Sequence, residues 1–323
     1  MKYYRLKSTD PYLNLAIEEY LFKTESDDVL ILWQNAPCVV IGKNQNILAE
    51  VDTGALVRYK VLPVRRITGG GAVYHDSGNI NYTFISSGTG GIDFATFSRP
   101  IIDALGSLGI TLSLSGRNDL CLSDGRKVSG NAQCARDGRV LHHGTLLFES
   151  DLELLGKILT PDAEKLKTKA VKSARARVAN LSELLPNIGS AEELIEKIEN
   201  FIISTMNPTL AEPPKNDEIE ALRARNASSE WLYPASGIGA KCTVTKKKRY
   251  PFGSVMLDIS FMGEHIDRIK IYGDFFGTEP IETLEALITG HTLTELKDVL
   301  TDESVGSSVA GLRARELVDL ICN

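Results

Sequence analysis

No apolar run in the chain approaches the roughly 20 residues that a bilayer-spanning helix needs, and the start MKYYRLKSTDPYLNL lacks the apolar stretch of a signal peptide. These absences point to a cytoplasmic protein with no membrane partner. Cysteine is scarce: Cys38, Cys121, Cys134, Cys242 and Cys322 are odd in number, widely spaced and free of any C-x-x-C pair. Neither a disulfide framework nor a zinc site follows, and no metal-binding residues are expected. Two nucleotide signatures are also missing. No G-x-x-x-x-G-K-[ST] occurs, and the third glycine of a G-x-G-x-x-G would fall on Tyr74. A net charge of -6 argues against general nucleic-acid binding, although KLKTKAVKSARARV (165–178) and KKKR (246–249) are local basic clusters that suit phosphates. There is no internal repeat or low-complexity tract.

What is present is the composition of an ordinary globular protein, 43% hydrophobic and 24% charged, long enough at 323 residues for one large domain and a small one. Asp10 and Pro11 predict the start of a first helix, whose stripe Tyr12/Leu13, Ala16/Ile17, Tyr20/Leu21 reads as core. PCVVIG (37–42) reads as a short buried strand, and VLPVRR (61–66) as an extended segment leading into glycines. From Asn79 the pattern alternates, with Ile80, Tyr82 and Phe84 on one face. RPIIDALGSLGI (99–110) has helical periodicity, and the pairs Asp124-Gly125 and Asp137-Gly138 predict an antiparallel meander. Helical runs between 186 and 216 are broken at prolines, and NDEIEALRARNASSEWLYP predicts a helix ending before Pro234. After the small-residue stretch at ASGIGAK (235–241), a hairpin turning near Met262-Gly263 and three helical stretches make a small α+β domain. The expected division is 1–245 and 246–323, with a flexible hinge near 235–250.

The stretch RRITGGGAVYHDSGNINYTF (65–84) demands a reason, because three consecutive glycines cost backbone entropy and pack no side chain. Bare amides can converge on an anion, with Arg65 or Arg66 beside them and His75 just after. A tight loop with solvated arginines is the alternative.

Lys127, in KVSGNAQ, is either a solvated hairpin residue or a point charge beside a groove that Ser129, Gly130 and Ala132 leave open. His142 and His143 point to opposite faces of a strand and cannot chelate one ion together. His143 is then a satisfied core residue or a hydrogen-bonding group near the site. Cys121 and Cys134 read as buried structural thiols unless something activates them. Glu18 and Glu19 are expected on an exposed helix face.

Taken together, PCVVIGKNQN (37–46), RRITGGGAVYHDSGNINYTFI (65–85), GRNDL (116–120), KVSGNAQ (127–133), HHGTLL (142–147) and KSARARVANL (172–181) resemble, in this order, lipoate-protein ligases. The resemblance spans essentially the whole chain. It implies an α+β catalytic domain of the biotin/lipoate ligase type, related to class II aminoacyl-tRNA synthetases, followed by a small accessory domain. It further implies two steps, in which lipoate and ATP with Mg²⁺ form lipoyl-AMP and the lipoyl group then passes to a carrier lysine. The carriers implied are lipoyl domains of 2-oxoacid dehydrogenase complexes and the glycine cleavage H protein. Carried over by residue, Lys127 is catalytic, and Arg66, Gly70, Gly71, Ala72, Val73, Tyr74 and Lys127 bind ATP. Lipoate falls to Lys127, His75, Asn79, His143 and Asn44, with Asn118 and Asp119 as further polar candidates. The rival within the same fold is an octanoyl or lipoyl transferase that needs Cys134 or Cys121 as a thioester nucleophile and no ATP.

Overall fold

The computed structural model describes residues 1–87, 93–159, 178–233 and 244–322. Its strands are β1 (Lys2–Arg5), β2 (Val29–Trp33), β3 (Cys38–Ile41), β4 (Leu62–Arg65), β5 (Val73–His75), β6 (Asn79–Ser87), β7 (Ser113–Ser115), β8 (Asp119–Cys121), β9 (Lys127–Arg136), β10 (Arg139–Leu147), β11 (Thr209–Ala211), β12 (Val244–Tyr250), β13 (Gly253–Met262) and β14 (His265–Gly273). Eight of them form one mixed sheet in the order β11-β1-β2-β6-β10-β9-β8-β7. β1 runs parallel to both its neighbours, and the rest of the sheet is antiparallel. A small sheet, β4-β3-β5, carries the glycine loop between β4 and β5, and β12-β13-β14 form the sheet of the C-terminal unit. The fold is therefore mixed α/β.

The β9–β10 turn is where local chemistry decides register. Asp137 and Gly138 both take positive φ, 53° and 72°, the conformation of a two-residue hairpin whose twist matches its strands. β10 then pairs with β6 from Arg139↔Ser87 to Leu147↔Asn79, so every side chain on these strands has a defined face.

The first helix is Pro11–Thr24, its N-terminal amides accepted by Asp10. Its burial is broader than the periodicity suggests. Glu18 is 1% exposed and Glu19 4% exposed, which corrects the solvated-face reading. The reason is coverage on both sides, by the sheet and by the helix Asp217–Ala227. Each carboxylate is paired: Glu18 Oε1 accepts from Thr83 Oγ1 at 2.6 Å and His143 Nδ1 at 2.9 Å, while Glu19 takes Arg225 and Lys23. Those partners outweigh burial, so the Glu19 carboxyl is held below its ordinary range.

Two helix boundaries differ from the periodicity. The helix read at 99–110 begins at Phe94, where Asp93 accepts from Thr96 N–H. The single helix read before Pro234 is two, Asp217–Ala227 and Ser229–Leu232, because Ser228 takes an extended conformation and caps Trp231 N–H. Cys242, the 235–243 stretch and the 165–177 cluster lie outside the described residues.

The C-terminal unit has its own core, built from Val255, Leu257, Ile259, Ile271, Leu284 and Leu317 among others. It also touches the glycine loop, where Gly70 N–H donates to Phe275 O at 3.2 Å, and the loop after β3, where Gly273 N–H donates to Asn44 O at 2.9 Å. Phe276 packs against Phe94 with ring centroids 5.4 Å apart.

Candidate active site

Five strands bring one row of residues together on a face of the large sheet. Trp33 pairs with Asn81, Asn81 with Thr145, and Gly130 with Asp119, while Gly130 N–H donates to Thr145 Oγ1 at 3.2 Å. A cavity of about 360 Å³ lies over this row. Asp119 and Lys127 sit at its β8–β9 side and Trp33 at its β2 side.

Lys127 opens β9, and its Nζ is held 2.8 Å from Asp119 Oδ1. The side chain folds back over Gly130: a Cβ there would lie 2.8 Å from Nζ. Glycine is thus needed at 130 for the lysine's approach rather than for a special backbone angle. Ala179 N–H donates to Lys127 O at 2.9 Å, which brings the end of the KSARARVANL segment onto the start of this strand.

The loop before β8 is clamped by an asparagine pair. Asn131 Nδ2 donates to Asn118 O at 3.0 Å and Asn118 Nδ2 to Asn131 O at 2.5 Å. From the same loop Arg117 reaches the C-terminal unit, donating to Phe252 O and, at 3.0 Å, to Asp274 O, with its guanidinium 4.5 Å above the Phe276 ring. Asp274 itself borders the cavity.

The glycine loop is shaped by Arg66. This side chain is 5% exposed and donates from Nε to Thr68 Oγ1, from Nη1 to Val40 O and from Nη2 to both Gly69 O and Gly71 O. Burial pulls its guanidinium down to about 10, which still leaves it charged at neutral pH. Thr68 Oγ1 lies 2.8 Å from His143 Nε2, and His143 Nδ1 meets Glu18 Oε1, so one hydrogen-bonded chain runs from the first helix to the loop. Gly70 takes φ 89°, and a Cβ on Gly71 would meet nothing nearer than 4.0 Å. Arg65 is equally occupied, its donors spent on carbonyls of Gly42, Lys43, Gln45, Trp231 and Leu232.

Of the residues singled out from the sequence, Lys127, Arg66, Gly71, Ala72, Val73, His75 and His143 border this cavity together with Asn118 and Asp119. The others stand elsewhere. Tyr74 packs in a separate apolar cluster with Val39 and Ile41, and Asn79 is fully buried with its Nδ2 on Asn81 Oδ1. Gly70 turns its N–H to Phe275, and Asn44 borders a second opening beside the β9–β10 hairpin. Cys134 borders that second opening, and its thiol is pushed up to about 12 by burial. Burial raises the Cys121 thiol as well. Trp33, Arg117, Asn131 and Asp274 were not singled out from the sequence. Arg117 and Asn131 had only their position inside quoted motifs as a signal, and Trp33 and Asp274, outside all of them, had none.

This is an α/β domain with a polar cavity on its large sheet and an α+β unit packed over its glycine loop, and comparison with known proteins narrows that class. Residues 10–203 match the family model of the lipoyl protein ligase A/B catalytic domain, and 240–321 that of the bacterial lipoate protein ligase C-terminus. The chain is 37% identical over 324 residues to lipoate-protein ligase LplJ of Bacillus subtilis, and 33% identical over 326 residues to lipoate-protein ligase 1 of Staphylococcus aureus, covering 97% of each chain in both pairs. Its fold is similar to that of LipL1 of P. falciparum solved in complex with lipoate, with a TM-score of 0.79 and 26% identity over 99% of this chain and 98% of that one. The chain belongs to the lipoate-protein ligase family, and the activity of that family is what its geometry has to explain.

Proposed function

We propose that the protein activates lipoate with ATP to lipoyl-AMP and transfers the lipoyl group to a specific lysine of lipoyl carrier domains. The carriers would be acyltransferase subunits of 2-oxoacid dehydrogenase complexes and the glycine cleavage H protein. The observation that carries this reading is Lys127, tethered by Asp119 over a cavity that also meets the bare backbone of Gly71 and Ala72.

An amide cannot form from a free carboxylate without activation. In the first step a lipoate carboxylate oxygen bonds to the α-phosphorus of ATP, the α–β phosphoanhydride bond breaks, and pyrophosphate leaves with its electron pair. Two anions must meet, and an ammonium beside both stabilises the charge that builds on the phosphoryl oxygens. Lys127 fills that role. In the second step the carrier's neutral amine attacks the mixed-anhydride carbonyl, AMP departs, and the amine loses a proton. This step needs placement more than further activation. Arg66 serves the nucleotide through the loop it holds, Gly71 to Val73 form the wall, and His75 and His143 border the acyl chain.

Mg²⁺ would arrive on the phosphates of its substrate. Asp119 is engaged by Lys127, and Asp274 accepts from Ser254 N–H at 2.5 Å. Among the described residues no group of three His, Cys, Asp or Glu could hold a metal ion. The catalytic unit would comprise residues 1–245 and the accessory unit 246–323.

The test is pyrophosphate release from MgATP with lipoate, octanoate or biotin, followed by the mass of a lipoyl carrier domain added to the reaction. Lipoate-dependent release with a lipoyl mass gain is expected. Transfer from octanoyl carrier protein without ATP, lost in Cys134→Ser or Cys121→Ser, would move the assignment to a thioester transferase; the raised thiols speak against it.

A further inference from the structure

The run KKKR (246–249) has no part in the chemistry described above. It lies on β12, an edge strand of the C-terminal sheet, where Lys247, Lys248 and Arg249 are exposed and Lys246 is half-buried. Successive strand residues point to opposite faces, so the four cations cover both sides of the edge over roughly 10 Å. In a chain whose net charge is -6, this is a local excess of the other sign. Among the described residues no carboxylate pairs with Lys246, Lys248 or Arg249. Lys248 stands over the Tyr250 ring, 5.1 Å from its centroid, and Arg249 donates to Ser254 Oγ at 3.2 Å.

Lysine on an edge deters unwanted strand pairing, but that role does not explain where the row ends. It ends at the mouth of the cavity. Arg249 pairs with Ser254, whose N–H donates to Asp274 Oδ1, and Asp274 borders the cavity. Three residues past Arg249, Phe252 O accepts from Arg117, which borders the same cavity from the loop before β8. Burial lowers the Arg117 guanidinium from its ordinary range, and the nearby Arg249 adds to that against the carboxylates of Asp274 and Asp119. Lys127, Arg117, Arg249 and the lysines behind it form a cationic track out of the site, with Asp119 and Asp274 as the carboxylates within it.

An acceptor lysine brought to this mouth meets a field of its own sign. Its carrier offsets that field with carboxylates around the lysine, since like charges face to face are costly. Resting on the function proposed above, we propose that the β12 row is a docking surface for the carrier, and that the carrier it selects is a folded domain with an acidic face beside its acceptor lysine. Complementary charge of this kind speeds encounter and fixes the approach, and it adds less to the chemical step.

The experiment is lipoyl transfer from added lipoyl-AMP to an acidic lipoyl carrier domain, comparing the full chain with a variant that combines Lys246→Glu, Lys248→Glu and Arg249→Glu. The variant should lose about tenfold or more in kcat/KM for the carrier, with kcat at saturating carrier retained. The parent's kcat/KM should fall steeply as ionic strength rises from about 0.05 to about 0.5 M, and the variant's should not. Pyrophosphate release from MgATP and lipoate without carrier should be the same in both. On the parent alone, a carrier with its acidic residues changed to the corresponding amides should show the same loss, so the comparison stands even if the variant fails to fold. Equal kcat/KM for acidic and amidated carriers, or for parent and folded variant, would overturn the inference and leave the ligase reading intact. Binding of duplex DNA tighter than the carrier, lost in the variant, would give the row to nucleic acid and overturn the inference as well. No pyrophosphate release and no transfer would overturn both.

Discussion

The Nζ of Lys127 lies 2.8 Å from Oδ1 of Asp119, one residue past the asparagine that Asn131 clamps. The lysine's position therefore depends on β8, on β9 and on the loop between Gly116 and Asp119. Lys127→Ala should reduce adenylate formation by at least about 10²–10³, the usual cost of losing a group aimed at developing charge, with circular dichroism unchanged. Asp119→Asn should cost less. Normal pyrophosphate release from folded Lys127→Ala would remove the lysine from the chemistry.

Gly130→Ala separates placement from presence. The added Cβ would lie 2.8 Å from Nζ, at the flexible end of the side chain, so the lysine moves while the strand stays. Adenylate formation should fall about tenfold or more, since displacements of about 1 Å can cost up to 10². Melting temperature should stay near that of the parent. A variant as active as the parent would show that the lysine tolerates displacement.

For Arg66 the geometry predicts a different outcome from the motif. Read as a phosphate ligand, it could be removed with the fold intact. Its donors instead hold Thr68 and the carbonyls of Val40, Gly69 and Gly71. Arg66→Ala should lower stability by at least about 2 kcal/mol, because each buried acceptor left unpaired costs about 1–3 kcal/mol. Urea unfolding measures this, and an unchanged midpoint would return Arg66 to a purely ligand-facing role.

Acid should destabilise the fold through two histidines. Burial pulls His75 and His142 down to about 3, with Arg66 and His143 adding to the effect on His75 and His143 to that on His142. Unfolded, each titrates near 6.5. The native state thus binds fewer protons, so this stability is present above about pH 6.5 and is lost as pH falls toward 3. The slope is about 1.4 kcal/mol per pH unit for each histidine. His142→Gln, which can still accept from Gln133 and donate to Asn131, should roughly halve it. Urea midpoints between pH 4.5 and 7 that do not change would contradict the buried neutral state.

What the sequence revealed and what it concealed divide by distance along the chain. Asp10, Pro11 and the Asp137-Gly138 turn act on residues a few positions away, and their elements stand where the pattern put them. Glu18 and Glu19 read as solvated because, Lys23 beside Glu19 apart, the partners that bury them are far away in sequence. Those partners are 125 and 206 residues distant, at His143 and Arg225. Arg66 shows the same limit: next to three glycines an arginine suggests an external anion, and only the folded loop shows that its donors also hold the loop's own carbonyls. Ser228 could be read either way, since serine favours a helix cap but is tolerated inside.

The buried pairing of Glu19 with Arg225 also bears on inheritance. A chain that exchanged the glutamate alone would strand the guanidinium against Trp231, 4.1 Å from the ring centroid, with its carboxylate gone. In lineages related to this one, the two positions should change together or not at all, so that descent keeps a record of a contact that spans two-thirds of the chain.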